Sequence, residues 1–256
     1  MSLFPDGLPA DVRLDKIVTG DCRKTMQKFP AGWVDLVFAD PPFNIDFGYD
    51  VYDDNQNRSA YLRWAAEWTL GAVRLLRPCG TFVVAIGDEF AAEYKVMLTE
   101  QGLTLRNWII WHYTFGPHQK RKFGRDHAHL LYFTRDPKRF TFNADAVRVP
   151  SRRQLDGDPR ADPRGRVPGD VWAFPRLVGN AAERWGYHPC QMPEAPLDRL
   201  VRATTNPGDV VFDPFAGSGT TLVVAKRLGR RFLACELSAE YARSARRRVS
   251  YVEAAT

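Results

Sequence analysis

The sequence predicts an α/β fold built on a doubly wound, mostly parallel sheet, and three stretches carry that expectation. Val34–Ala39 is a short apolar run that stops at Asp40-Pro41-Pro42, as a buried strand running into a loop would. Residues 61–76 repeat Tyr61, Trp64, Trp68 and Val73 at helical spacing, then turn at Pro78-Cys79-Gly80 into a strand over 81–86. Near the other end, strand Val210–Asp213 leads through a glycine-bearing turn to a helix over 220–228 and a strand over 231–235. Strands alternating with helices in this way are joined as parallel neighbours.

Between these stretches the pattern predicts a helix over 89–102 and strands over 107–111 and 130–134. From 143 to 187 it dissolves into Pro, Gly, Arg and Asp, the composition of a long functional loop or of a segment ordered only by a partner. Periodicity returns with a helix over Glu194–Thr204. No internal repeat is visible, and 256 residues suit one domain, 1–256, with an elaborated loop region.

Composition narrows the class. A hydrophobic share of 45% against 26% charged is that of a globular chain, and no apolar stretch reaches membrane-spanning length. Residues 1–11 hold acidic residues and prolines rather than a cationic start and an apolar run, so they do not read as a signal peptide. Cys22, Cys79, Cys190 and Cys235 are scattered without a CxxC pair, which suggests a reduced, cytoplasmic setting with neither zinc site nor disulfide framework. A net charge of +6 and a pI near 9.2 suit a polyanionic partner.

The turn Asp213-Pro-Phe-Ala-Gly217-Ser-Gly219 follows a strand and opens a helix, so its backbone can approach a ligand at a helix N-terminus. Glu236 ends the next strand, where a carboxylate can accept both hydrogen bonds of a ribose diol. Neither GxGxxG nor a P-loop lysine is present, which argues against a dinucleotide or a nucleoside triphosphate and leaves another nucleoside ligand.

Asp40-Pro41-Pro42-Phe43 suits chemistry on an exocyclic amine of a base. The Asp40 carboxylate and the Pro41 carbonyl can each accept one N–H bond, favouring a pyramidal nitrogen whose lone pair points at an electrophilic methyl. Pro42 stiffens the loop, and Phe43 offers a ring on which an extruded base can stack.

These segments resemble the DNA amino-methyltransferases that act on N6 of adenine or N4 of cytosine, over most of the chain. Asp40 to Phe43 resembles the family's catalytic motif and Phe212 to Thr221 its methyl-donor motif; the catalytic motif comes first, the β-group order. Thr19 to Cys22 resembles the stretch contacting the cofactor adenine, and His188-Pro-Cys-Gln-Met-Pro193 the HPTQKP segment, with Cys190 and Met192 in place of Thr and Lys. The resemblance implies a Rossmann-like methyltransferase sheet and S-adenosyl-L-methionine as cofactor. It implies Asp40, Pro41, Pro42 and Phe43 as catalytic residues. Its cofactor candidates are Asp21, Cys22, His188, Gln191, Asp213, Phe215, Ala216, Gly217, Ser218, Gly219, Thr220, Glu236 and Leu237.

The run from His118 to Arg125 mixes cations with Phe123, and Lys120, Arg121, Lys122 and Arg125 are read as DNA contacts. Residues 115–187 are expected to form the DNA-contact and target recognition region, with Arg152 and Arg153 among its contacts. His118, His127 and His129 are read as packing residues, not as metal ligands. Arg243, Arg246, Arg247 and Arg248 are read as a solvated terminal helix face. The expected reaction is site-specific transfer to N6 of adenine in double-stranded DNA by direct displacement on a flipped base. N4-cytosine transfer is the alternative, and a catalytically silent DNA-binding protein is the rival of another class. The partners implied are DNA, a cognate restriction endonuclease and a second copy of the chain, in a cytoplasmic, nucleoid-associated setting.

Overall fold

A computed structural model describes residues 12–113, 119–179, 181–186 and 188–253. Its elements in chain order are β1 (Lys16–Thr19), α1 (Cys22–Met26), β2 (Val34–Ala39), α2 (Arg58–Leu75), β3 (Leu76–Ile86), α3 (Ala91–Glu100), β4 (Thr104–His112) and β5 (His127–Thr134). They continue with α4 (Arg152–Leu155), β6 (Val171–Ala173), α5 (Glu194–Thr204), β7 (Val210–Asp213), α6 (Thr220–Arg227), β8 (Arg231–Glu236) and α7 (Ala239–Ser250). Among the described residues the strands form one sheet in the order β1-β8-β7-β2-β3-β5-β4-β6. Only β5 opposes its neighbours, pairing antiparallel with β3 and β4; every other pair is parallel.

Helices cover both faces. On one, α2 buries Tyr61, Ala65, Trp68, Ala72 and Leu75, steps of three and four that make one apolar stripe, beside Met26 of α1 and Tyr94 of α3. On the other, Leu197 and Val201 of α5, Leu222 and Val224 of α6 and Ala242 and Ala245 of α7 pack together. With both faces covered, the central strands are apolar throughout, as β2 is from Leu36 to Ala39. Asn57 caps α2 by accepting from the Ala60 amide. No helix among the described residues is long and apolar enough to cross a membrane.

Two expectations are revised, and one strand was not anticipated. Pro78, Cys79 and Gly80 do not form a turn ahead of a strand. They lie inside β3, where the register against β2 slips between the pairs Val34 with Leu76 and Leu36 with Thr81. The 143–187 segment is more structured than a long loop. It holds a 3-10 turn at Ala144–Val147, the capped helix α4, a bridge between Val149 and Arg166, and β6 on the outer edge of the sheet. The side-chain amide of Asn143 ties its start to α5 by donating to the carbonyls of Arg202 and Thr205. The short β1, with one buried residue, escaped the pattern because its partner β8 is remote in sequence.

Candidate active site

β2 and β7 are hydrogen-bonded neighbours at the centre of the sheet, in the register Val37 with Phe212. The chain leaves β2 toward β3 on one side and β7 toward β8 on the other, so the C-terminal ends of β2 and β7 flank the switch point where open α/β sheets bind ligands. This geometry brings Asp40 and Asp213 together. A cleft of about 1360 Å³ opens there, floored by both motifs.

On the β2 side, Pro41 is buried and Asp40, Pro42 and Phe43 are half-buried, all lining the cleft. The Tyr61 hydroxyl donates to the Pro42 carbonyl at 2.8 Å and lies 3.2 Å from the Tyr94 hydroxyl. Among the described residues, neither the Asp40 carboxylate nor the Pro41 carbonyl receives a hydrogen bond. Burial, and then the charge of Asp213, push the Asp40 carboxyl up to about 7. The chain beyond Phe43 is folded around Asp54, a residue the sequence did not reveal. Its buried carboxylate accepts from the amides of Asn44, Ile45 and Phe47, with Asn44 and Asp46 at φ of 57° and 62°. An Asn and an Asp adopt such angles more readily than most residues, and the three bonds hold the loop there.

On the β7 side, Asp213 is buried, accepts from the Phe215 amide at 2.9 Å and has its carboxyl raised by burial to about 7. Gly217 sits at φ 51°, and a Cβ there would stand 3.0 Å from His188 Nε2, so the turn needs glycine for both angle and space. Glu236 takes the Gly217 amide on Oε2 at 2.7 Å and the Ser238 amide on Oε1 at 2.9 Å, and burial raises its carboxyl. Phe215 lines the cleft with its ring edge-on to Trp68. His188 packs against Tyr241, its Nδ1 is buried without a partner, and burial lowers its imidazole to about 4, leaving it neutral near pH 7.

Asp21, Cys22, Gln191, Ala216, Ser218, Thr220 and Leu237 also line the cleft. Asp21 caps α1. Burial pushes its carboxyl up, but hydrogen bonds from Arg23 outweigh this and hold it below its usual range. Gln191 has a local use: its amide accepts from Trp185 N and donates to the Glu183 carbonyl. Gly219 departs from expectation. It does not line the cleft; at φ 80° it begins α6, and a Cβ would meet that of Ala245 at 3.1 Å, so it serves helix packing.

Arg248 corrects the reading of the terminal helix. It is 6% exposed; Nη1 donates to Thr220 Oγ1 at 2.8 Å and Nη2 to Glu194 Oε1 at 2.8 Å. Thr220 in turn donates to the Met192 carbonyl. One buried cation therefore joins the glycine turn, the 188–193 segment and the start of α5, three stretches that no local pattern connects.

Lys122 and Arg125 reach the mouth of the cleft, whereas Lys120, Arg121, Arg152 and Arg153 are exposed outside it. Arg125 is ion-paired with Asp88 and Glu89, and Arg152 with Asp156. His118 lies outside the described residues, as do 115–117, Asn180 and Tyr187 of the expected recognition region. Ligand atoms of Asp88, His127 and His129 lie within 4.8 Å of one another. Trp108 Nε1 donates to His129 Nδ1, which leaves Nε2 as the protonated nitrogen that donates to Asp88 at 2.7 Å.

Sheet topology and cleft define the class as a doubly wound α/β protein with its ligand cleft across the strand ends. The model of the DNA methylase family of N6 and N4 enzymes matches residues 34–247, and the chain belongs to that family. Its members are DNA amino-methyltransferases that use S-adenosylmethionine as methyl donor. The Type II methyltransferase M.HpaI of Haemophilus parainfluenzae is 34% identical over 91% of this chain and 74% of its own. The DNA adenine methyltransferase YhdJ of Escherichia coli K12 is 35% identical over 91% of this chain and 82% of its own. Among solved structures, TTHA0409 of Thermus thermophilus, complexed with S-adenosyl-L-methionine, superposes with a TM-score of 0.65 at 27% identity, covering 92% of this chain and 93% of that one.

Proposed function

We propose that the chain methylates N6 of adenine at specific sites in double-stranded DNA. The observation that carries this reading is the pair of acceptors at the cleft floor, the Asp40 carboxylate and the Pro41 carbonyl, which the described protein leaves without donors. They match the two N–H groups of one exocyclic amine. By resemblance to the family, an aspartate at position 40 is typical of the adenine enzymes and a serine of the cytosine ones, and this and the 35% identity to an adenine methyltransferase favour adenine over cytosine.

The cleft fits S-adenosylmethionine. Gly217 keeps open a space that a Cβ would fill, His188 Nδ1 is a buried polar atom in want of a partner, and Asp21, Asp40, Asp213 and Glu236 line the cleft with carboxylates suited to a cationic ligand. Glu236 keeps lone pairs for a ribose diol beside its two amide contacts. Bound there, the cofactor supplies a methyl group already activated on a sulfonium. The residues' own work is positional: Asp40 and Pro41 orient the amine, Phe43 stacks the base, and the buried turn excludes water.

The Type II relative M.HpaI supports a cognate restriction endonuclease as cellular partner, and the basic charge supports residence on DNA. Single-molecule sequencing of DNA from cells expressing the chain is expected to read N6-methyladenine at one recognition sequence. N4-methylcytosine would overturn the choice of base, and unmodified DNA would favour the silent DNA-binding rival. Asp40→Ala is expected to lower labelled-methyl transfer by about 10²-fold to 10³-fold, the scale set by removing one transition-state hydrogen-bond partner, while calorimetry still detects cofactor binding.

A further inference from the structure

Phe123 is 99% exposed, the most exposed large apolar side chain among the described residues. It contributes nothing to the core, yet it lines the mouth of the cleft together with Lys122, Gly124 and Arg125. Lys120, Arg121 and Lys122, all exposed, precede it, so the tip of this segment presents one bare ring behind three cations.

The root of the segment is fastened. Arg125 Nε meets Asp88 Oδ2 at 2.8 Å, and Arg125 Nη2 and Nη1 reach the two oxygens of Glu89 at 2.5 and 3.1 Å. Asp88 is held from behind by His129, whose ring orientation Trp108 sets. Asp88 and Glu89 follow Gly87, where a Cβ would stand 3.2 Å from the ring of Phe43. The end of β3 thus lies beside the catalytic-loop aromatic and anchors the base of the exposed segment. A long lever to Phe123 is unnecessary, because only Gly124 separates it from the anchored Arg125.

We propose that Phe123 is a wedge that enters the DNA stack and fills the place vacated by the target base, while Lys120, Arg121 and Lys122 hold the flanking phosphates. The proposal rests on the reading of the cleft as a DNA methyl-transfer site. A base can reach Asp40 only by leaving the duplex, and an inserted apolar side chain offsets the unstacking that this requires. The adjacent cations select a polyanion as the surface this ring meets.

The test compares two duplexes carrying the mapped recognition sequence, one fully paired and one with a mismatch opposite the target base, which lowers the cost of extrusion. Phe123→Ala is expected to reduce kcat/KM on the paired duplex by about tenfold to a hundredfold, the scale of a few kcal/mol of lost stacking, and to stay within about threefold of the native protein on the mismatched one. Phe123→Leu should recover part of the loss. Phe123→Lys, which adds a phosphate contact but no wedge, should be as impaired as alanine on the paired duplex. The Tm should not move, because the ring is in water. Equal losses on both duplexes, no loss on the paired one, or a gain with Phe123→Lys would overturn the wedge while leaving the cleft reading intact. A native protein that transfers no methyl to either duplex would overturn the cleft reading and the wedge with it.

Discussion

The β7 side of the cleft and the exposed 152–164 segment beyond it use arginine in opposite ways. Arg248 is buried behind the glycine turn, bonded to Thr220 and Glu194. Arg152, Arg160 and Arg164 have side chains 85%, 82% and 65% exposed, each paired with an aspartate two to four residues away. A buried cation is costly to leave unpaired, so its pair fixes the surrounding backbone in one arrangement. An exposed pair is worth little, so its aspartate can be exchanged for another anion at small cost. The contrast is one of preorganisation: the buried pair presets a pocket wall, whereas the exposed pairs leave side chains that can change partner.

The largest effect should come from breaking the buried side. Arg248→Met leaves Glu194 with Arg227 as its remaining cation and takes from the Thr220 hydroxyl the donor that Arg248 supplies. We expect a stability loss of about 2–4 kcal/mol, at or below the usual cost of breaking a buried pair because Arg227 stays, visible as a lower Tm in thermal denaturation. Calorimetry should show cofactor affinity weakened at least about tenfold, with Arg248→Lys recovering part of both. A variant with unchanged cofactor affinity would reduce Arg248 to a stabilising residue.

A smaller effect should appear with pH. Asp40 has its carboxyl raised to about 7 and accepts an N–H bond most strongly when ionised. Transfer should therefore rise through pH 7, by roughly tenfold between pH 6 and pH 8 for a single group titrating there. A cationic cofactor favours the ionised form, so its binding near pH 7 should release protons, measurable by calorimetry in buffers of different ionisation enthalpy. Stability should run the other way. With the folded carboxyls of Asp40 and Asp213 above their unfolded value of 3.8, the folded state holds more protons between about pH 4 and 7, and stability falls as pH rises through that window.

The smallest effect on the fold should come from the exposed side. Arg152→Ala is expected to leave the Tm unchanged and, if Arg152 meets a phosphate, to lower the salt dependence of DNA binding by about one unit of log–log slope. An unchanged slope would remove Arg152 from the DNA contacts.

Most of the fold and half of the cleft could be read directly from residue order. A central parallel strand is a contiguous apolar run, and a turn that approaches a ligand needs glycine, so Val34–Ala39, Asp40 to Phe43 and the 213–219 turn announce themselves locally. Their adjacency was legible only through the rule that ligands sit at the switch point of such sheets. Other features depend on what lies opposite. β5 reverses direction without any change in its apolar pattern, Pro78 to Gly80 became part of a strand because β2 tolerates a slip in register, and Gly219 faces α7 rather than the cleft. Arg125 met carboxylates at the end of β3, and Arg248, in a helix rich in arginine, was the one set against Glu194. A residue's identity sets the backbone angles it can take and the charge it carries. Whether that charge is sealed into a pocket wall or left in water is set by the element packed across from it, and that element can lie anywhere in the chain.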